Sequence, residues 1–255
     1  MHLRVLSWNI HKGIGGVDRR YRPERIIELV RSYDPDLLFL QEVDDGAPRS
    51  AFHSQAEMLA DALGLRHFCY GPNVTLRRGR YGNATLARWP LSHVRNIDLT
   101  IGPKKRRGVL HARCRVRVGR RSRTLVLYNL HLGLAGFERA RQLRRFLASH
   151  PFAGLHARTP ILFGGDLNDL WGTLGARFLL PAGFRRAGRS APTYPAVWPV
   201  RPLDALFVRG DLEVLRCFRS KMPLAREASD HLPLVARLRL ASGQAAGTTK
   251  TGPTA

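Results

Sequence analysis

The chain reads as an α/β protein in which two mixed β-sheets pack together with helices on their outer faces. Three observations predict this class. Short apolar runs of strand length outnumber amphipathic helical stretches along residues 1–240, no low-complexity linker divides them, and no internal repeat is present. Helices are too few to cover both faces of a doubly wound parallel sheet, so sheet must pack on sheet. With 255 residues, 44% of them hydrophobic, one domain over residues 1–240 buries an adequate core without disulfides or a structural metal.

Residues 3–8 form the first predicted strand. Residues 23–31 carry Ile26, Ile27 and Val30 on one face behind Pro23, which suits a helix start. The Asp34-Pro35 pair breaks that helix, and Leu37-Leu38-Phe39-Leu40 follows as a fully buried strand. Residues 55–63 read as a helix closed by Gly64, a C-terminal cap. Residues 67–70 and 84–87 are strand-like, and residues 109–118 and 124–129 pair as a hairpin around Gly119-Arg120-Arg121-Ser122. A helix over residues 137–149 places Arg139, Arg141, Arg144 and Arg145 on a solvent face. Strands follow at residues 160–163, 203–208, 212–218 and 232–240. Residues 241–255 have almost nothing to bury and are expected to be a disordered tail.

Charge is the strongest compositional signal. Forty-two Lys and Arg residues against nineteen Asp and Glu give a net charge of +23, and only five of the cations are lysines. Such a field concentrates polyanions, nucleic acid or an anionic membrane surface; an arginine-rich coding bias would write the same composition. Mean hydropathy is −0.22 and no apolar run reaches the length of a membrane span. The apolar opening runs straight into polar residues, unlike a signal peptide, so a cytoplasmic location is expected. Cys69, Cys114 and Cys217 lie far apart, form no Cys-x-x-Cys pair and are expected to be buried and reduced. Nothing in the composition calls for an obligate protein partner.

The scarce acids are more informative, because Glu42, Asp44, Asp45, Asp166, Asp169, Asp204 and Asp230 gather around short motifs. Five polar clusters close apolar strands: Trp8-Asn9, Gln41-Glu42, Asn129-Leu130-His131, Asp166-Leu167-Asn168 and Ser229-Asp230-His231. Asp204 sits inside a sixth apolar run. Strands that end together deliver their terminal side chains to one rim. Singly, each cluster has an ordinary structural explanation: Asn9 as a turn former, Glu42 as a surface acid, Asp166-Leu167-Asn168 as an Asx turn, His131 as a packed histidine. Jointly they would have to place oxygen or imidazole at strand ends by coincidence. Several carboxylates near buried strands are costly unless a cation accompanies them, and carboxylate and amide oxygens favour magnesium, manganese or calcium over zinc.

In order, Ser7-Trp8-Asn9-Ile10, Leu40-Gln41-Glu42-Val43, Tyr128-Asn129-Leu130-His131-Leu132-Gly133, Gly165-Asp166-Leu167-Asn168, Leu203-Asp204-Ala205-Leu206-Phe207-Val208 and Ser229-Asp230-His231-Leu232-Pro233-Leu234 resemble the motifs of the endonuclease/exonuclease/phosphatase superfamily. That superfamily includes DNase I, exonuclease III, sphingomyelinases and inositol-polyphosphate 5-phosphatases. The resemblance spans residues 3–240 and implies a DNase I-like four-layer α/β sandwich and a phosphoesterase using Mg2+ or Mn2+. It further implies that Glu42 is the principal metal ligand with Asn9 beside it, and that Asp166 positions or deprotonates the attacking water. Asn168 would hold the phosphate. His231 would contact the scissile phosphate with Asp204 orienting and charging its imidazole, Asp230 would support the metal or the water, and His131 matches a second active-site histidine.

Two departures bear on substrate. Ile10-His11-Lys12-Gly13 follows Asn9 where exonuclease III-like enzymes carry an acid two residues on, and Asn129-Leu130-His131 replaces their tyrosine-containing segment. The chain therefore looks less like an abasic-site endonuclease and more like small bacterial members of the superfamily. Nucleic acid is the expected substrate on charge, with a phospholipid head group or an inositol phosphate as the alternative. Lys104-Lys105-Arg106-Arg107 is expected near the rim, where it could meet a second phosphate, and Thr193-Tyr194-Pro195 with Trp198 on a substrate-facing loop.

Overall fold

A computed structural model describes residues 1–241. The expected tail therefore lies, after Ala241, outside the described residues. In chain order the strands are β1 His2–Asn9, β2 Leu37–Asp45, β3 His67–Thr75, β4 Arg80–Ala87, β5 Leu91–Asp98 and β6 Gly108–Val118. They continue as β7 Arg121–His131, β8 Ile161–Asp166, β9 Arg185–Arg186, β10 Asp204–Arg209, β11 Leu212–Arg219 and β12 Leu234–Leu240. The α-helices are α1 Pro23–Tyr33, α2 Gln55–Leu63, α3 Gly136–Leu147 and the short α4 Pro223–Ala228.

Two six-stranded sheets result, ordered β11-β12-β1-β2-β4-β3 and β5-β6-β7-β8-β10-β9. Both are mixed, because β1 runs parallel to β2 and β7 runs parallel to β8 while their other pairings are antiparallel. Strand alternation sorts the side chains into layers. Leu3, Val5, Leu37 and Phe39 of the first sheet meet Leu125, Leu127, Leu162 and Leu206 of the second in the core between the sheets. The alternate residues Leu6, Trp8, Leu38 and Leu40 pack beneath α1 and α2, and Tyr128, Phe163 and Phe207 pack beneath Phe146 of α3. Helix, sheet, sheet, helix is the predicted four-layer sandwich.

On the inner faces the pattern changes from apolar to polar at one end of the strands. Ser7 and Asn9 continue the parity of Leu3 and Val5; Gln41 continues that of Leu37 and Phe39; Asn129 and His131 continue that of Leu125 and Leu127. All five are buried. Gln41 with Asn129, and Asn9 with Asp166, tie the sheets together where apolar packing stops. Asn129 Nδ2 donates across the gap to the Ala84 and Leu40 carbonyls (2.8 and 3.1 Å), and its Oδ1 accepts from Gln41 Nε2 (2.8 Å). Those carbonyls stand where the pairing of β2 with β4 shifts register between Leu40 and Val43.

Several expectations are revised. The second strand runs five residues beyond Leu40, to Asp45, because a bulge carries it past its apolar run. The hairpin turn is only Gly119 and Arg120, since Val118 already pairs with Arg121; Gly119 supplies the left-handed φ of 61°. Strand β5 is an edge strand with mostly exposed side chains, so it lacks the apolar alternation that betrays a strand. Arg139 is not on the solvent face of α3: it is buried and donates to the Leu134 carbonyl, closing the loop before the helix. Gly64 caps α2 in the left-handed conformation as expected.

Candidate active site

Sheet register gathers the polar strand ends. The parallel pairing of β7 with β8 sets His131 opposite Asp166, and the antiparallel pairing of β8 with β10 sets Asp204 opposite Asp166. From the other sheet, Asn9 at the end of β1 is level with Gln41 and reaches Asp166 Oδ2 with its Nδ2 (2.9 Å). Asp166 is thus a buried hub. Its Oδ1 accepts the Asn168 backbone N–H (2.9 Å), an Asx turn that Asn168 completes at φ 49°. The Asn168 amide Nδ2 donates to the Leu132 carbonyl (2.8 Å).

The segment after α4 brings in the second histidine. Ser229 donates its hydroxyl to the Asn9 carbonyl (2.7 Å) and accepts the His231 N–H (3.2 Å), while Trp8 Nε1 donates to the His231 carbonyl (2.7 Å). So fixed, His231 directs Nδ1 at Asp204 Oδ2 (2.8 Å) and Nε2 toward Asp166 Oδ2 (3.8 Å). Thr193 Oγ1 donates to the same Asp204 oxygen (2.6 Å), and the Tyr194 ring lies 4.9 Å from the imidazole.

The two histidines divide one proton between different environments. Burial disfavours the His231 cation, but Asp204 and then Asp166 outweigh it and raise its pKa to about 10. Burial dominates at His131, whose Nε2 lies 3.2 Å from Asp166; its pKa falls to about 4. Two carboxylates flank one imidazole and the other must share. Near neutrality the structure therefore holds His231 as a cation and His131 neutral.

Glu42 stands at the bulge with φ 56°, where strand alternation is broken and its carboxylate lies near His131 and Lys12. Burial opposes its charge, but His131 and Lys12 hold the carboxyl well below the usual carboxylate range. Lys12 is in direct contact with Glu42 Oε2; it reaches there from a short 3-10 turn, His11–Gly13, in which its own φ is 63°. Asp230 is partly exposed, with Oδ2 3.9 Å from His11 Nε2. Glu42, Asp230 and the Asn9 amide oxygen, which accepts the His11 N–H (3.0 Å), are oxygen donors of the kind a hard divalent cation takes. Asp166, Asp204 and His231 also present ligand-type atoms within 4.8 Å of one another. A protonated imidazole cannot ligate a metal, so while His231 stays charged that trio offers a cation only its two carboxylates.

Among the sequence-predicted residues, Asn9, His131, Asp166, Asn168, Asp204 and His231 come together, with Glu42 beside them and Asp230 at the margin. Three acids of the same sequence clusters do not join. Asp44 is held by Arg49 (2.7 and 2.8 Å), Asp45 by Arg80 and Ser54, and Asp169 accepts the Leu174 N–H (2.7 Å). Sequence reasoning missed Lys12, whose only signal was a lysine before the glycine of a tight turn. It also missed the bond from Thr193 to Asp204, although the loop was expected to face the site.

A profile of the Endonuclease/Exonuclease/phosphatase family matches residues 6–231. The chain belongs to this family. A curated member of similar sequence is the uncharacterized protein YbhP of Escherichia coli K12, 32% identical over 251 residues, covering 93% of this chain and 96% of that one. Among solved structures, an endonuclease/exonuclease/phosphatase from Beutenbergia cavernae superposes with a TM-score of 0.78 at 25% identity, covering 94% of this chain and 72% of that one. The catalytic domain of human Nocturnin shares the fold, with a TM-score of 0.69 at 21% identity and 94% of each chain covered. The family is one of phosphoester hydrolases, and the polar strand ends lie within the matched span.

Proposed function

We propose that the chain is a divalent-metal-dependent phosphodiesterase whose preferred substrate is nucleic acid. The observation that carries this reading is His231, held as a buried cation between Asp204 and Asp166 beside an anionic Glu42. Phosphoryl transfer asks the protein mainly for positioning and for charge placed where charge develops. His231 Nε2 donates to a phosphate oxygen and is already charged when substrate arrives. Asp166 orients the attacking water and accepts its proton, while Asn9 and Asn168 keep the carboxylate from rotating. His131, neutral, donates a hydrogen bond without adding repulsion to the His231 cation. Magnesium or manganese held by Glu42, Asn9 and Asp230 would supply Lewis-acid polarisation of the phosphate.

Net charge favours nucleic acid. A second reading, hydrolysis of a phospholipid head group, is favoured by the loop that touches His231: Val197, Trp198 and Val200 are exposed a few residues from Tyr194. The test is incubation with plasmid, single-stranded DNA and anionic liposomes, each with magnesium, manganese or EDTA. Metal-dependent cleavage of DNA is expected; cleavage of lipid alone would move the substrate to the second reading, and no turnover of any phosphoester would remove the enzyme claim. His231→Ala and Asp166→Asn are expected to lower the rate at least about a hundredfold. Wild-type turnover in either variant would overturn its role.

A further inference from the structure

Three cations face the Tyr81 ring, on the Glu42 side of the site. Lys105 Nζ lies 4.6 Å from the ring centroid, Arg49 Cζ 5.6 Å and Lys12 Nζ 5.8 Å. Arg107 completes the group: it is 5% exposed, its Nε has no hydrogen-bond partner, and it lies within electrostatic reach of both Tyr81 and His131. The Tyr81 hydroxyl is buried near both Glu42 and Arg107.

These charges are not equivalent. Arg49 is neutralised by Asp44 and Lys12 by Glu42, whereas Lys105 and Arg107 have no ion-pair partner among the described residues. Both line a cleft of about 200 Å³ with Lys104 and Glu138. Glu138 is its acid, and that carboxylate already accepts from Gln142 (3.3 Å). Desolvation, with Arg107 next, holds the Lys105 pKa below its ordinary value. A buried guanidinium with an unused donor, next to an ammonium that repels it, is costly unless an anion completes the group. Phosphoryl oxygens match that donor geometry.

We infer that Lys105 and Arg107 form a subsite for a second, non-scissile phosphoryl group of the substrate, beside Glu42 and His131. The inference rests on the phosphodiesterase reading, yet it is tested by binding without turnover. In EDTA, equilibrium binding of the dinucleotide TpT is compared with pTpT and TpTp, which add one terminal phosphate. Inositol 1,4-bisphosphate against inositol 1-phosphate gives the same comparison for a sugar phosphate and separates the two sources.

The expected result is about tenfold tighter binding of the doubly phosphorylated member in at least one comparison, the effect of one charge-assisted contact. Lys105→Met and Arg107→Lys should bring that ratio close to one. Arg106→Met removes the same charge from the same loop, outside the cleft, and should keep it. Lys105 is on the surface, so its variant reports even if changes at buried Arg107 disturb folding. No preference in any comparison, or equal loss in Arg106→Met, overturns the subsite. Preference without hydrolysis of any substrate in magnesium or manganese would retain the subsite and overturn the reaction.

Discussion

His231 and His131 share Asp166 and give the molecule opposite responses to pH. His231 is raised from 6.5 to about 10 on folding, so its stabilisation is complete below about 6.5 and disappears as pH rises through 10. His131 is lowered to about 4, so its contribution is present above about 6.5 and lost as pH falls toward 4. Thermal unfolding across pH 4 to 10 should therefore show the acid limb flattened in His131→Gln and the alkaline limb flattened in Asp204→Asn. An unchanged alkaline limb in Asp204→Asn would mean that His231 is not held charged by Asp204. Lys12 makes a separate prediction. It balances the charge of Glu42 through Oε2, so a cation bound by Glu42 would compete with it. Calorimetric titration with manganese should show tighter binding to Lys12→Met than to wild type, by roughly tenfold for one competing contact. Weaker binding would mean that Lys12 positions Glu42 for the ion.

At the scale of elements, the site depends on two devices in strands: a bulge and a bridge between sheets. The bulge in β2 breaks strand alternation at Glu42, and Asn129 of β7 takes up the carbonyls left near it. Asn129→Leu would strand the Gln41 amide and both carbonyls in a buried space, at about 1–3 kcal/mol for each group left unpaired. Urea denaturation should show a loss of at least about 2 kcal/mol. A loss below about 0.5 kcal/mol would mean that water replaces the bridge. These devices also mark what sequence could and could not reveal. Apolar runs such as Leu37-Leu38-Phe39-Leu40 and Leu125-Val126-Leu127 announce buried strands, and the polar residues that end them announce a shared rim. Strand β5 and the two residues of β9 were illegible because edge strands with polar side chains carry no burial pattern. The Lys12 contact was illegible for another reason: a left-handed turn aims a side chain in a direction that spacing does not encode. Asp44, Asp45 and Asp169 show the converse, acids adjacent in sequence to the site whose partners are local.

The whole molecule carries +23 charges, far more than Lys12, Lys105 and Arg107 contribute at the rim. Long-range attraction and local recognition therefore separate by salt. Duplex DNA binding should weaken with a log-log slope near −0.9 for each phosphate contacted. Lys105→Met should reduce that slope by about one if the subsite engages a backbone phosphate. An unchanged slope would leave nucleic-acid attraction to the general surface. The topology adds a consequence in time. Strand β1 lies between β2, which follows it closely in the chain, and β12, which comes more than two hundred residues later. Trp8 and Asn9 meet their partners His231 and Ser229 only after more than two hundred further residues have been made. Until then a growing chain on the ribosome holds Glu42 and Asp166 but no charged imidazole, and one edge of β1 stays open. A chain with this much positive charge is synthesised against ribosomal RNA, and its order of strands withholds His231 until every other residue of the candidate site has been made.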